Sequence, residues 1–207
     1  MNRCLAGLSF LFFWVFTGVV FPSHVRAAGE IPGLEAPQKR FQSSDGKRCY
    51  LYQKYVVLSV DSGIGSDTTA FLREAGSDAR RLCEPSGKRV ILDIKNEDAE
   101  FFSGLWSHFL FVISGRGTDR NLMIYDLDSE KLVYQSNFAE PFVLNPSGKL
   151  VFYTADDFNP EVKSCPGVPQ GQWMGFDVQV SLNLKTLKLT HTGEVRCTSR
   201  QGVPDPS

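Results

Sequence analysis

The sequence predicts an all-β protein, and three observations carry that reading. Val, Ile, Phe, Tyr and Thr dominate Lys54–Val60, His108–Ile113, Leu150–Thr154 and Phe176–Leu184, the residue types that fill a pleated, half-buried surface. The last of these stretches alternates apolar and polar residues with a period of two, so one face is buried and the other wet. Finally, Ser62–Asp67 reads SGIGSD and Ser114–Asp119 reads SGRGTD, 52 positions later (114 − 62).

Taken from the N-terminus, the chain opens on a targeting signal. Arg3 gives a positive start, Leu5–Phe21 is an uncharged apolar run, Pro22 breaks it, and Val25-Arg26-Ala27 offers a signal peptidase site. A retained anchor is the other reading, but the run is at the short edge of the ~20 residues a membrane span needs. Residues 1–27 are therefore expected to be removed, leaving 28–207 as one domain in the periplasm or outside the cell, with no membrane attachment. Removal takes Arg3 and Arg26, so 22 − 2 basic residues face 23 acidic ones, about −3 in charge. Phosphate tracking needs a concentrated basic face, so a nucleic-acid partner is excluded.

Four cysteines remain after Cys4 leaves with the signal: Cys49, Cys83, Cys165 and Cys197. An even number suits an oxidising compartment, and no CxxC suggests zinc or thioredoxin-like chemistry. Of three possible connectivities, Cys49–Cys83 and Cys165–Cys197 close the most local loops.

The repeat extends beyond the hexapeptides. Val57–Val60 matches Phe109–Val112, and Ala70-Phe71-Leu72 matches Leu122-Met123-Ile124 without a gap. A third copy pairs Leu150–Thr154 with Ser181–Thr186 around a longer connection, essentially Asp156–Trp173. Ser44-Asp45-Gly46-Lys47, Ser86-Gly87-Lys88 and Ser147-Gly148-Lys149 mark turns that launch strands. Residues 97–105 are the one region read as holding a short helical turn.

This order of strand, loop, strand and Asp-Leu-x-(Ser/Thr) turn resembles the blades of β-propeller proteins. The resemblance implies three antiparallel β-meanders in a small or incomplete propeller, with a β-sandwich as the alternative. Residues 49–51 and 195–197 are then candidates to patch a further partial blade.

Candidate chemistry is sparse. The SGxG loops run into strands and no Lys-Ser/Thr follows, which excludes a P-loop. His108 and His191 read as structural or surface residues, with no catalytic or zinc spacing. Asp61, Asp67 and Asp119 read as turn caps. Asp156 and Asp157, with Asn159 and Glu161, form an oxygen-rich loop of the type that holds calcium, without an EF-hand pattern. No catalytic residue, metal or cofactor is assigned.

If the repeat units are equivalent, their three loops gather on one side. That surface is the expected binding region: Ser114, Gly115, Arg116, Asp119, Asp156, Asp157, Gln170 and Trp173. In location, size, meander and projecting loop, the chain is also similar to small periplasmic inhibitors and immunity proteins of cell-wall hydrolases. This resemblance implies a non-catalytic binding protein whose partner is an exported hydrolase. The competing expectation is a small-molecule or glycan-binding protein, or an enzyme using Asp156 and Asp157.

Overall fold

The computed structural model describes residues 31–74, 81–116, 119–155 and 173–200. The fold is all-β, with two antiparallel sheets and no α-helix among these residues. The first sheet runs in sequence order through β1 (Lys39–Gln42), β2 (Lys47–Leu51), β3 (Tyr55–Asp61), β4 (Ser66–Leu72) and β5 (Val90–Ile94). The second runs through β6 (Phe101–Trp106), β7 (Phe109–Arg116), β8 (Asp119–Asp126), β9 (Lys131–Leu144), β10 (Lys149–Ala155), β11 (Trp173–Asn183) and β12 (Lys188–Arg200). A single 3-10 turn, Arg81–Cys83, lies between β4 and β5.

The two sheets do not close into a ring, and the arrangement is sandwich-like. Residues 49–51 sit in β2 of one sheet, whereas 195–197 sit in β12 at the far edge of the other. The expected patch between them is therefore absent, because each segment is paired by its own sequence neighbours, β1 and β3 or β11.

Alternation along the strands builds three apolar layers. One face of the first sheet buries Leu51, Val56, Leu58 and Phe71 under Leu82 of the 3-10 turn. Its other face turns Tyr55, Val57 and Ala70 against Leu110, Val112 and Met123 of the second sheet. The opposite face of the second sheet buries Phe111, Ile124, Phe152 and Val180 together. Strand β9 serves both halves of that sheet. Its first part pairs with β8 and its last residues pair with β10.

The N-terminal segment straps the sheets together. The Glu35 N–H donates to the Leu105 carbonyl on β6 at 2.8 Å, and the Gln38 N–H donates to Leu51 on β2 at 2.7 Å. Each glycine of the repeated turn signals has the positive φ expected of it: Gly46, Gly87 and Gly148. At Gly148 space is also decisive, since a Cβ would stand 2.4 Å from the Trp106 ring.

Residues 97–105 are not helical. Asn96 and Glu100 bond the segment's own N–H groups, and the chain then enters β6, which pairs with β7. Side chains that satisfy local backbone donors in this way offer an alternative to helix.

The repeat holds in strand faces but not in ladder length. The β3–β4 ladder ends at Asp61 and Ser66, leaving Ser62–Gly65 outside it. The β7–β8 ladder continues to Arg116 and Asp119, so Ser114 and Gly115 are strand residues. Asp61 explains the difference. Its carboxylate accepts the Gly63 N–H at 2.8 Å, and the Ser62 N–H bonds the Gly65 carbonyl, closing a local turn. The residue aligned with Asp61 is Ile113 (61 + 52), which accepts nothing, so pairing runs on.

Cys49 and Cys83 form the expected disulfide, tying the 3-10 turn to β2 across 34 residues. Cys165 lies outside the described residues, and the Cys197 sulfur is engaged rather than free. Replacing both Cys49 and Cys83 by Ala should lower stability by about 2–4 kcal/mol, because the unfolded chain regains the closed loop's freedom. Urea unfolding of the variant against the parent measures this.

Candidate functional site

The two ends of the strands make two different rims. At one rim, the link Asn96–Glu100 joins the first two hairpin tips. The Ser66 N–H donates to the Glu100 carbonyl at 2.7 Å, and the Gly115 N–H donates to the Asp98 carbonyl at 3.3 Å. Asn96 donates from its side chain to Ser62 Oγ at 2.6 Å and from its backbone to Asp67 Oδ1 at 2.9 Å. Glu100 is buried, and its Oε2 accepts the N–H groups of Glu97 and Asp98, both at 2.8 Å. Gly65 is held so closely that a Cβ would stand 2.5 Å from Asn96 Oδ1.

The third connection, residues 156–172, lies outside the described residues, and β10, which leads into it, runs opposite to β7 because the β7–β8, β8–β9 and β9–β10 pairings are all antiparallel. Gly115 pairs with Arg120, Arg120 with Phe138, and Tyr153 with Ala139, so β10 ends at Ala155 beside the β7–β8 tip. The Arg120 guanidinium and the Glu140 carboxylate bridge β8 to β9 there at 2.6 Å.

Of the expected binding residues, Ser114 lies in β7 and is buried. Gly115 and Arg116 end β7, Asp119 begins β8 and Trp173 begins β11. Asp156, Asp157 and Gln170 lie outside the described residues, as do Asn159 and Glu161. Asp61 caps its own turn as expected, whereas Asp67 accepts the N–H of Asn96 from the neighbouring link.

Two exposed apolar side chains crown this braced rim: Ile64 at 58 % and Phe101 at 46 % exposure. They line one cleft of about 120 Å³ with Arg48, Ser59, Asp61 and Ser66. One row inward, Thr68 is buried and its hydroxyl has no hydrogen-bond partner. Leaving a buried hydroxyl unpaired costs roughly 1–3 kcal/mol.

The opposite rim holds a polar cluster that the sequence reading did not assemble. Asp128 Oδ1 accepts from Lys54 Nζ at 2.6 Å and from the Tyr55 hydroxyl at 2.7 Å. These residues belong to different sheets, so the three form a clasp between them. The His108 ring stands beside it, with Nε2 3.8 Å from Asp126 Oδ1 and Nδ1 3.9 Å from Asp128 Oδ2. Hydrogen bonding from Lys54, then from Tyr55, holds the Asp128 carboxyl below the ordinary carboxylate range. The Lys54 ammonium is raised above its ordinary value chiefly by the bond to Asp128. Burial, above all, raises the Tyr55 phenol.

His108, Asp126 and Asp128 offer ligand atoms within 4.8 Å of one another. Their chemistry fits a clasp better than a cation site. Lys54 already supplies the positive charge at Asp128, and both Asp126 oxygens accept turn donors, Asp128 N–H and Ser129 Oγ. The two carboxylates also face different nitrogens of one ring. The adjoining pocket, about 450 Å³, is lined by Glu35, Gln53, Lys54 and Ser107 among others. Few apolar groups line it, unlike a typical small-molecule site. His191 is exposed on β12, opposite Val180.

No known family model, curated protein or solved structure matches this chain.

The clasp has a defined acid dependence. Because the folded state holds the Asp128 carboxyl low, it binds fewer protons than the unfolded chain. The clasp's contribution is complete above the ordinary carboxylate pKa of about 4 and fades as pH falls through the lower folded value. Both partners of the ion pair are half exposed, which limits its worth to about 1 kcal/mol or less. Asp128→Asn should therefore be mildly destabilised at neutral pH and show a shallower loss of stability on acidification. Asp128→Ala should lose more, about 1–3 kcal/mol, because the Tyr55 hydroxyl is left unpaired. Urea unfolding at several pH values checks both.

Proposed function

We propose that this chain is an exported, non-catalytic binding protein that engages a partner protein through the braced rim of hairpin tips. The observation that carries this reading is Ile64. It stands 58 % exposed on a hairpin whose backbone is fixed by Asp61, Asn96 and Glu100. Ile64 and Phe101 border the same cleft, and adjoining exposed apolar groups on a rigid support are the kind of surface that partners use. A support ordered in advance lowers the entropy lost on association.

The finer reading of the fold supports the same proposal. β2–β5, β6–β9 and β9–β12 act as three blade-like meanders, stacked through successive apolar layers in an open array. The first two meanders bring their hairpin tips to one rim, where residues 96–100 join them. The similarity to periplasmic inhibitors and immunity proteins makes an exported cell-wall hydrolase the partner class, with the rim seated in or over its cleft. The amino-terminal signal and the Cys49–Cys83 bridge suit that compartment.

Affinity capture from the exported fraction of the native cell tests the reading. The parent should retain a hydrolase, and Ile64→Asp should weaken that complex about thirtyfold, roughly 2 kcal/mol, while its unfolding curve stays unchanged. Equal retention of the hydrolase by the parent and Ile64→Asp would refute the assignment of this rim.

A further inference from the structure

We infer that the cleft beneath Ile64 and Phe101 is a receptor for a carboxylate side chain of the partner protein. This rests on the binding role proposed above and adds the chemistry of what is bound.

The row across the first sheet supplies the argument. Arg48 pairs with Ser59, and Ser59 pairs with Thr68. Directly paired residues project from the same face, so a guanidinium and two hydroxyls stand side by side. This is also the face that carries Tyr55, Val57 and Ala70 deeper in. The apolar layer between the sheets thus ends at a short polar strip facing the cleft. Arg48 and Ser59 line the cleft directly, together with Ser66 from the next row outward.

Three features make this strip a receptor for negative charge. First, the Arg48 guanidinium makes no ion pair or hydrogen bond among the described residues. Second, neither nearby carboxylate pairs with Arg48: Asp61, which also lines the cleft, accepts the Gly63 N–H, and Glu100 accepts those of Glu97 and Asp98. The Arg48 cation is thus left for an outside acceptor. Third, the Thr68 hydroxyl is a donor buried to 1 % exposure with no partner. Ser66 Oγ reaches only the Glu100 carbonyl, at a weak 3.5 Å. An arginine fork with adjacent hydroxyl donors is the arrangement that binds a carboxylate through charge-assisted bonds.

Size and flanking groups choose the occupant. At about 120 Å³ the cleft is well below the 300–1,000 Å³ of a small-molecule site and suits one short side chain. Ile64 and Phe101 at its lips favour an apolar stem or neighbour. A glutamate or aspartate next to an aliphatic residue on a partner's projecting segment meets both demands.

Titration of the isotope-labelled protein with isovalerate, a carboxylate on a branched aliphatic stem, tests this by amide chemical shifts. Isovaleramide, which lacks the charge, and inorganic phosphate serve as comparisons. Saturable shifts confined to residues around 48, 59, 66 and 68 are expected with isovalerate, with about tenfold weaker binding by Arg48→Gln. Thr68→Val should bind more weakly and yet unfold at higher temperature, since it removes an unpaired buried hydroxyl. A merely structural hydroxyl would give the second effect without the first. Absence of localised shifts, equal binding of isovaleramide, or tighter binding of phosphate would overturn the inference. If hydrolase capture still depends on Ile64 in that case, the binding role stands and only the carboxylate receptor falls.

Discussion

Between the two sheets, Tyr55, Val57 and Ala70 pack against Leu110, Val112 and Met123 with almost no exposed surface. This contact is the support on which both rims depend. Apolar burial contributes about 25 cal/mol per Å² and has no direction of its own, so the layer holds the sheets together without fixing their edges. Polar groups define the edges. At one end the layer gives way to the Lys54–Tyr55–Asp128 clasp, and at the other to Arg48, Ser59 and Thr68 beneath the braced tips. The two ends differ in how far their polar groups are satisfied. The clasp closes on itself, with the Lys54 ammonium and the Tyr55 hydroxyl both donating to Asp128 Oδ1. On the cleft side, Arg48 and, one row inward, the Thr68 hydroxyl have no partner among the described residues.

Much of the fold was legible because strand signals are local. β-Branched and aromatic runs, period-two alternation and glycine turns fix where strands begin and which face each side chain takes, and these readings agree with the ladders. The Cys49–Cys83 bridge was legible from loop length. Residues 97–105 were misread because Asn96 and Glu100 look like helix-compatible polar residues until their backbone partners are known. The ladder lengths were hidden for a similar reason. One residue, Asp61 against Ile113, decides whether a turn closes early, and the shared hexapeptide outweighed it.

The candidate site was less legible. Sequence repetition directed attention to three connections as a group, and the first two tips do share a rim through the Asn96–Glu100 link. It could not single out Ile64 from its glycine-rich surroundings, and it passed over Arg48, Ser59 and Thr68. Those three come from three strands and meet only through register. Lys54 and Asp128 are 74 residues apart and His108 comes from a third turn, so their cluster had no sequence signature. The nearest signal was the Asp126-Leu127-Asp128 turn facing His108 across the end of one hairpin, which becomes visible once β7 and β8 are known to pair.

Strand β9 belongs to two ladders at once, and this sets how the second sheet resists sliding. A strand paired on one partner can slip by a residue if its turn allows, exchanging its inward and outward faces. Were β9 to slip against β8, its pairing with β10 would shift too, and Phe138 and Phe142 would leave the core together. One strand thus locks the alignment of its neighbours on both sides, and the hairpin tips inherit their positions along the rim from that lock.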